Sequence, residues 1–166
     1  MFQRYVCRGS YCIAGFSKGA IDALEYVLST DRRVDSLQLF SPAFFVEQSE
    51  AFKRAQLYYF QKDPKAYIRH FLRNVAYPSG QELQSFFYKE GKEALAKLLY
   101  YPWPKEKLTM LKERGINLEV YLGGRDKIID STLAAEYFKP FAICYFIKEG
   151  GHILDGYNQN RCGDGI

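Results

Sequence analysis

The sequence predicts an α/β fold: a small parallel sheet with flanking helices and a long helical insertion. Three observations carry this expectation. A strand–turn–helix–strand pattern fills the first quarter of the chain. Alternating apolar residues return at 116–122 and 143–147, beyond a long helical stretch. The 166 residues are 48% apolar, enough for one packed core in a domain of ordinary size.

Taken in order, Tyr11-Cys12-Ile13-Ala14 is a short apolar run that stops at Gly15, as a buried strand does. After Gly19 the period changes. Ala20, Ile21, Leu24, Val27 and Leu28 share one helical face, and Ser29-Thr30-Asp31 closes it. Val34, Leu37 and Leu39 give a second strand, ended by Ser41-Pro42. Residues 46–114 read as helical. Ser49 is an expected cap, Asp63-Pro64 puts a cap before a first-position proline, and Ser79 with Glu82 forms a capping box ahead of Leu83, Phe86 and Phe87. Pro102-Trp103-Pro104 interrupts, and Gly115 ends a helix over 105–114. A strand at 116–122, a helix at 131–138 and a strand at 143–147 complete the pattern. The expected organisation is a core from 1–45 and 115–156, a helical lid at 46–114, and a flexible polar tail at 157–166.

Composition narrows the function. The net charge of +4 is too small to argue for nucleic acid. No run approaches the 18–20 apolar residues of a membrane span, and the charged start MFQRYVCRGSYC does not read as a signal peptide. Cys7, Cys12, Cys144 and Cys162 have neither metal spacing nor a companion His, and read as thiols of a reducing compartment. The expectation is a cytoplasmic protein with no cofactor and no metal. No phosphate-binding glycine loop is present. The 14 Tyr and 13 Phe suggest a large apolar contact surface, in the core or around a greasy ligand.

Gly15-Phe16-Ser17-Lys18-Gly19 matches G-x-S-x-G at the point where a strand ends and a helix begins. The string alone is weak and could be a glycine-rich turn without activity; the context strengthens it. A turn that sharp exposes Ser17 Oγ and leaves the Lys18 backbone N–H in the first helical turn, where it can meet an oxyanion. A serine hydroxyl needs a base. Of two histidines, His70 lies mid-helix in the insertion, whereas His152 follows the last strand in Glu149-Gly150-Gly151-His152, so His152 is the expected base. The imidazole needs a carboxylate to fix its tautomer. Asp126, just past the 116–122 strand, is preferred to Asp130, which precedes Ser131-Thr132 and reads as a helix cap. The order Ser17, Asp126, His152 is that of an α/β-hydrolase triad.

These segments, with Leu39-Phe40-Ser41-Pro42, resemble the second half of the α/β-hydrolase fold plus a helical lid. The stretch from Ala14 to Tyr26 and the run Ser41-Pro42-Ala43-Phe44-Phe45 are similar to the short pimeloyl-acyl-carrier-protein methyl ester esterases of biotin synthesis. That resemblance implies hydrolysis of a methyl ester on an acyl chain held by acyl-carrier protein. Only 16 residues precede Ser17, where members of the fold place several strands and the second oxyanion donor. The chain reads as shortened or minimal in that region, and the second donor has no assigned residue.

The insertion holds thirteen Lys or Arg against eight Asp or Glu, a net +5 that leaves −1 for the remainder. Lys65, Arg69 and Arg73, four residues apart, are candidate contacts for an acidic partner such as acyl-carrier protein. A solvated helical face is the alternative. A thioesterase of the same mechanism, or a catalytically weak binding protein, would share most of these features.

Overall fold

In a computed structural model, which describes residues 2–83 and 91–156, the predicted sheet is present and fully parallel. Its strands are β1 (Cys12–Phe16), β2 (Ser36–Phe40), β3 (Asn117–Gly123) and β4 (Ile143–Ile147), adjacent in chain order. Registers run Phe16 to Phe40 to Tyr121 to Tyr145 across all four strands. The helices are α1 (Lys18–Ser29), α2 (Glu50–Lys62), α3 (Pro64–Ala76), α4 (Lys92–Leu99), α5 (Lys105–Glu113) and α6 (Ser131–Phe138).

Side-chain alternation explains the layers, because successive strand residues face opposite ways. Ile13, Leu37, Leu39, Leu118, Val120 and Leu122 point to the face covered by α1, α5 and α6, and form the main core with Leu24, Val27, Leu108 and Phe138. The other face carries Phe16, Phe40 and Tyr121, with the Phe40 and Tyr121 rings stacked at 4.8 Å and Tyr121 on Tyr145 at 4.6 Å. Phe2, from a single 3₁₀ turn at Phe2–Tyr5, stacks on Phe16 at 4.7 Å and Phe40 at 5.0 Å. Residues 2–10 thus cover part of this face as a turn and coil.

Caps appear largely where the side chains place them. Ser49 Oγ accepts from the Phe52 amide, Asp63 from Ala66, and Asp130 from both Thr132 and Leu133, so Asp130 is occupied as a cap. Ser79 differs. Its hydroxyl donates to the Ala76 carbonyl at 2.9 Å and closes α3, and the helix expected to contain Phe86 and Phe87 lies outside the described residues, as does the 157–166 tail.

Trp103 locks the insertion to the core. Its ring is fully buried, its indole N–H donates to the Ala43 carbonyl at 3.0 Å, and it meets Tyr101 and Phe138 edge-on. Trp103→Ala removes that packing and orphans a buried carbonyl, so about 3–5 kcal/mol of stability should be lost. The check is a drop in the urea midpoint with an unchanged slope.

Candidate active site

The turn between β1 and α1 bends sharply at Ser17, whose φ of 53° and ψ of −116° lie where side chains are strained. Three backbone hydrogen bonds hold it there. The Ser17 amide donates to the Phe40 carbonyl at 2.9 Å, and its carbonyl accepts from Ala20 and Ala43 at 3.1 and 3.2 Å. The Ser17 side chain caps nothing, which leaves Oγ for other partners.

The two glycines of the motif are not equivalent. A Cβ on Gly15 would run into the Gly19 carbonyl and lie 2.7 Å from Ala20 Cα, so β1 and α1 approach through bare backbone there. A Cβ on Gly19 meets nothing within 4 Å. Sterically, the motif therefore requires glycine at Gly15 and not at Gly19.

Asp126 and His152 come from loops after β3 and β4, and four glycines interlock these loops. A Cβ on Gly123 would collide with the Gly151 carbonyl, one on Gly124 would lie 2.5 Å from the Lys148 carbonyl oxygen, and one on Gly151 would overlap the Tyr77 carbonyl. The Gly124 amide donates to Ile147 at 2.9 Å and the Arg125 amide to Gly150 at 2.8 Å. Tyr77, at the end of α3, thus buttresses the His152 loop, and the Lys127 ammonium sits 3.5 Å over its ring. On the other side Asp155 accepts from Gln81 at 2.8 Å, and Arg4 donates to the Leu154 carbonyl at 3.2 Å. The partner of Gly151 in this close approach, the Tyr77 carbonyl, lies 74 positions away and carries no local signal.

The result brings the three expected residues together. His152 Nε2 lies 3.0 Å from Ser17 Oγ and Nδ1 lies 2.7 Å from Asp126 Oδ2. The side chains of His152 and Asp126 are both 0% exposed. The other Asp126 oxygen accepts from the Ile128 and Ile129 amides at 2.7 and 3.2 Å, which fixes the carboxylate and satisfies it out of water. Lys18 is the first residue of α1, directly beside Ser17. Among the described residues His70 has no hydrogen bond to this group and lies on the exposed side of α3 against Asn74.

A cavity of about 530 Å³ opens at Ser17 and His152. Its walls are mainly apolar: Phe2 and Phe16 near the serine, Ile68, Leu72 and Val75 from α3, and Leu95 and Leu98 from α4. Among the described residues, Phe60, Tyr67 and Phe71 are the insertion's aromatics that line it, whereas Tyr58 is 61% exposed and Trp103 is core. Phe2 and Phe16 were not singled out by the sequence, although Phe16 is the variable residue directly before the serine.

Lys65, Arg69 and Arg73 form an exposed row along α3, beside the Ile68–Leu72–Val75 row that faces the cavity. Several other cations of the insertion have structural partners. Lys53 is buried against the Tyr100 ring, Lys107 pairs with Glu25 at 2.5 Å, and Arg114 binds the Val27, Leu28 and Thr30 carbonyls at the end of α1. No helix among the described residues is long and apolar enough to cross a membrane.

This sheet, its helices and the strand-end loops are those of a small α/β-hydrolase-like fold. No protein-family model matches the sequence, and no curated protein matches it. Solved structures do match. An esterase from Exiguobacterium antarcticum has 17% identity over 84% of this chain and 58% of its own, with a TM-score of 0.63. BioG from Haemophilus influenzae has 15% identity over 86% of this chain and 67% of its own, with a TM-score of 0.53. A bromoperoxidase from Bacillus anthracis has 17% identity over 85% of this chain and 60% of its own, with a TM-score of 0.61. At such identities the likeness is one of fold, and this chain spans roughly three fifths of the length of these proteins.

Proposed function

We propose that the protein is a serine carboxylesterase that acts on the methyl ester of a pimeloyl chain carried by acyl-carrier protein. The observation that carries the hydrolase reading is the buried His152 ring, bonded to Ser17 Oγ on one side and Asp126 on the other, at the head of an apolar cavity. The narrower substrate rests on the resemblance of the elbow and the Ser41-Pro42-Ala43-Phe44-Phe45 run to the methyl ester esterases of biotin synthesis. The presence of BioG among structures of the same fold supports it.

In this reading Ser17 Oγ attacks the ester carbonyl while His152 Nε2 takes the hydroxyl proton. Asp126 holds the Nδ1–H tautomer and stabilises the imidazolium. The Lys18 backbone N–H donates to the tetrahedral oxyanion. His152 returns the proton to the departing methoxide, releasing methanol. Water, deprotonated by the same nitrogen, then frees the carboxylate and regenerates Ser17.

The exposed Lys65, Arg69 and Arg73 row borders the cavity and suits the acidic surface of a carrier protein. The test uses methyl pimeloyl-acyl-carrier protein as substrate. Methanol and a carrier that retains its pimeloyl chain are the expected products; monomethyl pimelate released from the carrier, with no methanol, would show thioester cleavage instead. Reversing all three charges to Glu should raise KM for the carrier-bound ester about tenfold and leave p-nitrophenyl butyrate hydrolysis unchanged. Equal KM values would remove the docking role.

A further inference from the structure

The segment that covers the Ser17 cavity at Phe2 ends in two thiols that no step of the proposed hydrolysis uses. Phe2 lines that cavity and stacks on Phe16 and Phe40, and the Tyr5 ring meets Tyr121 at 5.7 Å. The chain then turns back into β1, and a cysteine stands at each end of the turn: Cys7, exposed, and Cys12, half-buried as the first residue of β1. Gly9 ties the two ends together. Its amide donates to Cys7 Sγ at 3.4 Å, and its carbonyl accepts from the Cys12 amide at 3.3 Å. Gln38, on the neighbouring strand β2, binds both cysteines through one atom. Its Oε1 accepts from the Cys7 amide at 2.7 Å and from the Cys12 thiol at 3.7 Å. Gln38 is itself buried and fixed from its other end, where Nε2 donates to Glu119 at 2.7 Å and faces the Tyr5 carbonyl at 3.3 Å. Burial pushes the Cys12 thiol up, and the Cys7 thiol beside it adds to the rise, so Cys12 keeps its proton near neutral pH.

We propose that Cys7 and Cys12 are a redox pair that a hydroperoxide closes to a disulfide, shortening the tether between the N-terminal cover of the cavity and β1. The exposed Cys7 sulfur attacks the peroxide as its thiolate. The O–O bond breaks, the departing hydroxide takes up a proton as water, and Cys7 is left as a sulfenic acid. The Cys12 sulfur then attacks the sulfenic sulfur. The S–S bond forms, the S–O bond breaks, and the hydroxide leaves with the Cys12 proton as a second water. Two thiols lose two electrons in all, and one peroxide gains them. The fold prepares this step, because Gly9 and Gln38 Oε1 each hold both residues of the pair. The bond closes a loop of six residues, which takes freedom chiefly from the unfolded chain, and a dithiol reductant reopens it. Cys144 lies on β4, at the opposite edge of the sheet from β1, with Sγ toward the Ala135 and Ala142 carbonyls.

The experiment treats the full chain with hydrogen peroxide, blocks the remaining thiols with iodoacetamide and maps tryptic peptides without reduction. Arg4 and Arg8 place a cut on each side of Cys7, so the expected product joins residues 5–8 to residues 9–18, and dithiothreitol separates them. The oxidised protein should melt several degrees above the reduced one. That rise should be absent from Cys7→Ser and from Cys12→Ser, each compared with and without peroxide, and present in Cys144→Ser. Both thiols still open to alkylation, Cys7 carried on to the sulfinic acid, or a link from Cys7 to Cys144, to Cys162 or to a second molecule would overturn the pairing. A Cys7–Cys12 bond that formed but lowered the melting temperature would overturn the claim that the fold holds the pair ready.

Discussion

Ser17→Ala should lower kcat for p-nitrophenyl butyrate by about 10⁴-fold or more and leave the fold in place. The size follows from the chemistry: without Oγ there is no acyl-enzyme, and what remains is attack by water in a polarised pocket. The intact fold follows from the elbow. It is held by main-chain bonds from Ser17 to Phe40, Ala20 and Ala43, which alanine keeps, and the serine side chain makes no cap. Alanine inherits the same strained φ of 53°, so the variant should melt within about 1 kcal/mol of the wild type. A variant that retained its turnover would show that hydrolysis occurs elsewhere.

Gly151→Ala is expected to have the second-largest effect, although the residue takes no part in the chemistry. The new methyl group would overlap the Tyr77 carbonyl and lie 2.8 Å from Pro78 Cδ. Neither is the end of a flexible side chain, so the loop itself must move. His152 is the next residue, and its 3.0 Å approach to Ser17 leaves little room for displacement. A misplacement near 1 Å costs about 10²-fold in rate, so kcat should fall at least that far, with a clear loss of thermal stability. Gly19→Ala is the contrast. Its Cβ enters open space inside α1, and the variant should keep its stability or gain about 0.5–1 kcal/mol. Equal behaviour of the two variants would contradict the interlocked-loop account of the site.

The parts legible in the sequence are those with local signals. Strand ends, caps and the motif announce themselves within a few residues: Asp63 before Pro64, Asp130 before Ser131, and Ser17 between a strand and a helix. The helix at 131–138 and the strand at 143–147 form with the expected bounds. Asp126 and His152 were found because each follows a strand in a glycine-rich loop, and parallel strands bring such loops to one edge of the sheet.

What the sequence left open depends on tertiary neighbours. Thirteen aromatic side chains in the insertion look alike as letters, yet Tyr67 walls a cavity, Trp103 is core and Tyr58 faces water. Thirteen cations gave one sum, but Lys53, Lys107 and Arg114 hold the fold while Lys65, Arg69 and Arg73 stand exposed. Gly15 and Gly19 differ for the same reason. The motif fixes which residues flank the serine, and only the path of α1 decides which one lies against backbone.

The central claim is that the His152 imidazole activates Ser17. Reaction with a fluorophosphonate, followed by peptide mass mapping, tests it most directly. The account predicts one adduct, on Ser17, formed at least about 100-fold more slowly in His152→Ala. An adduct on a different residue, or labelling of Ser17 at an undiminished rate without the imidazole, would contradict it.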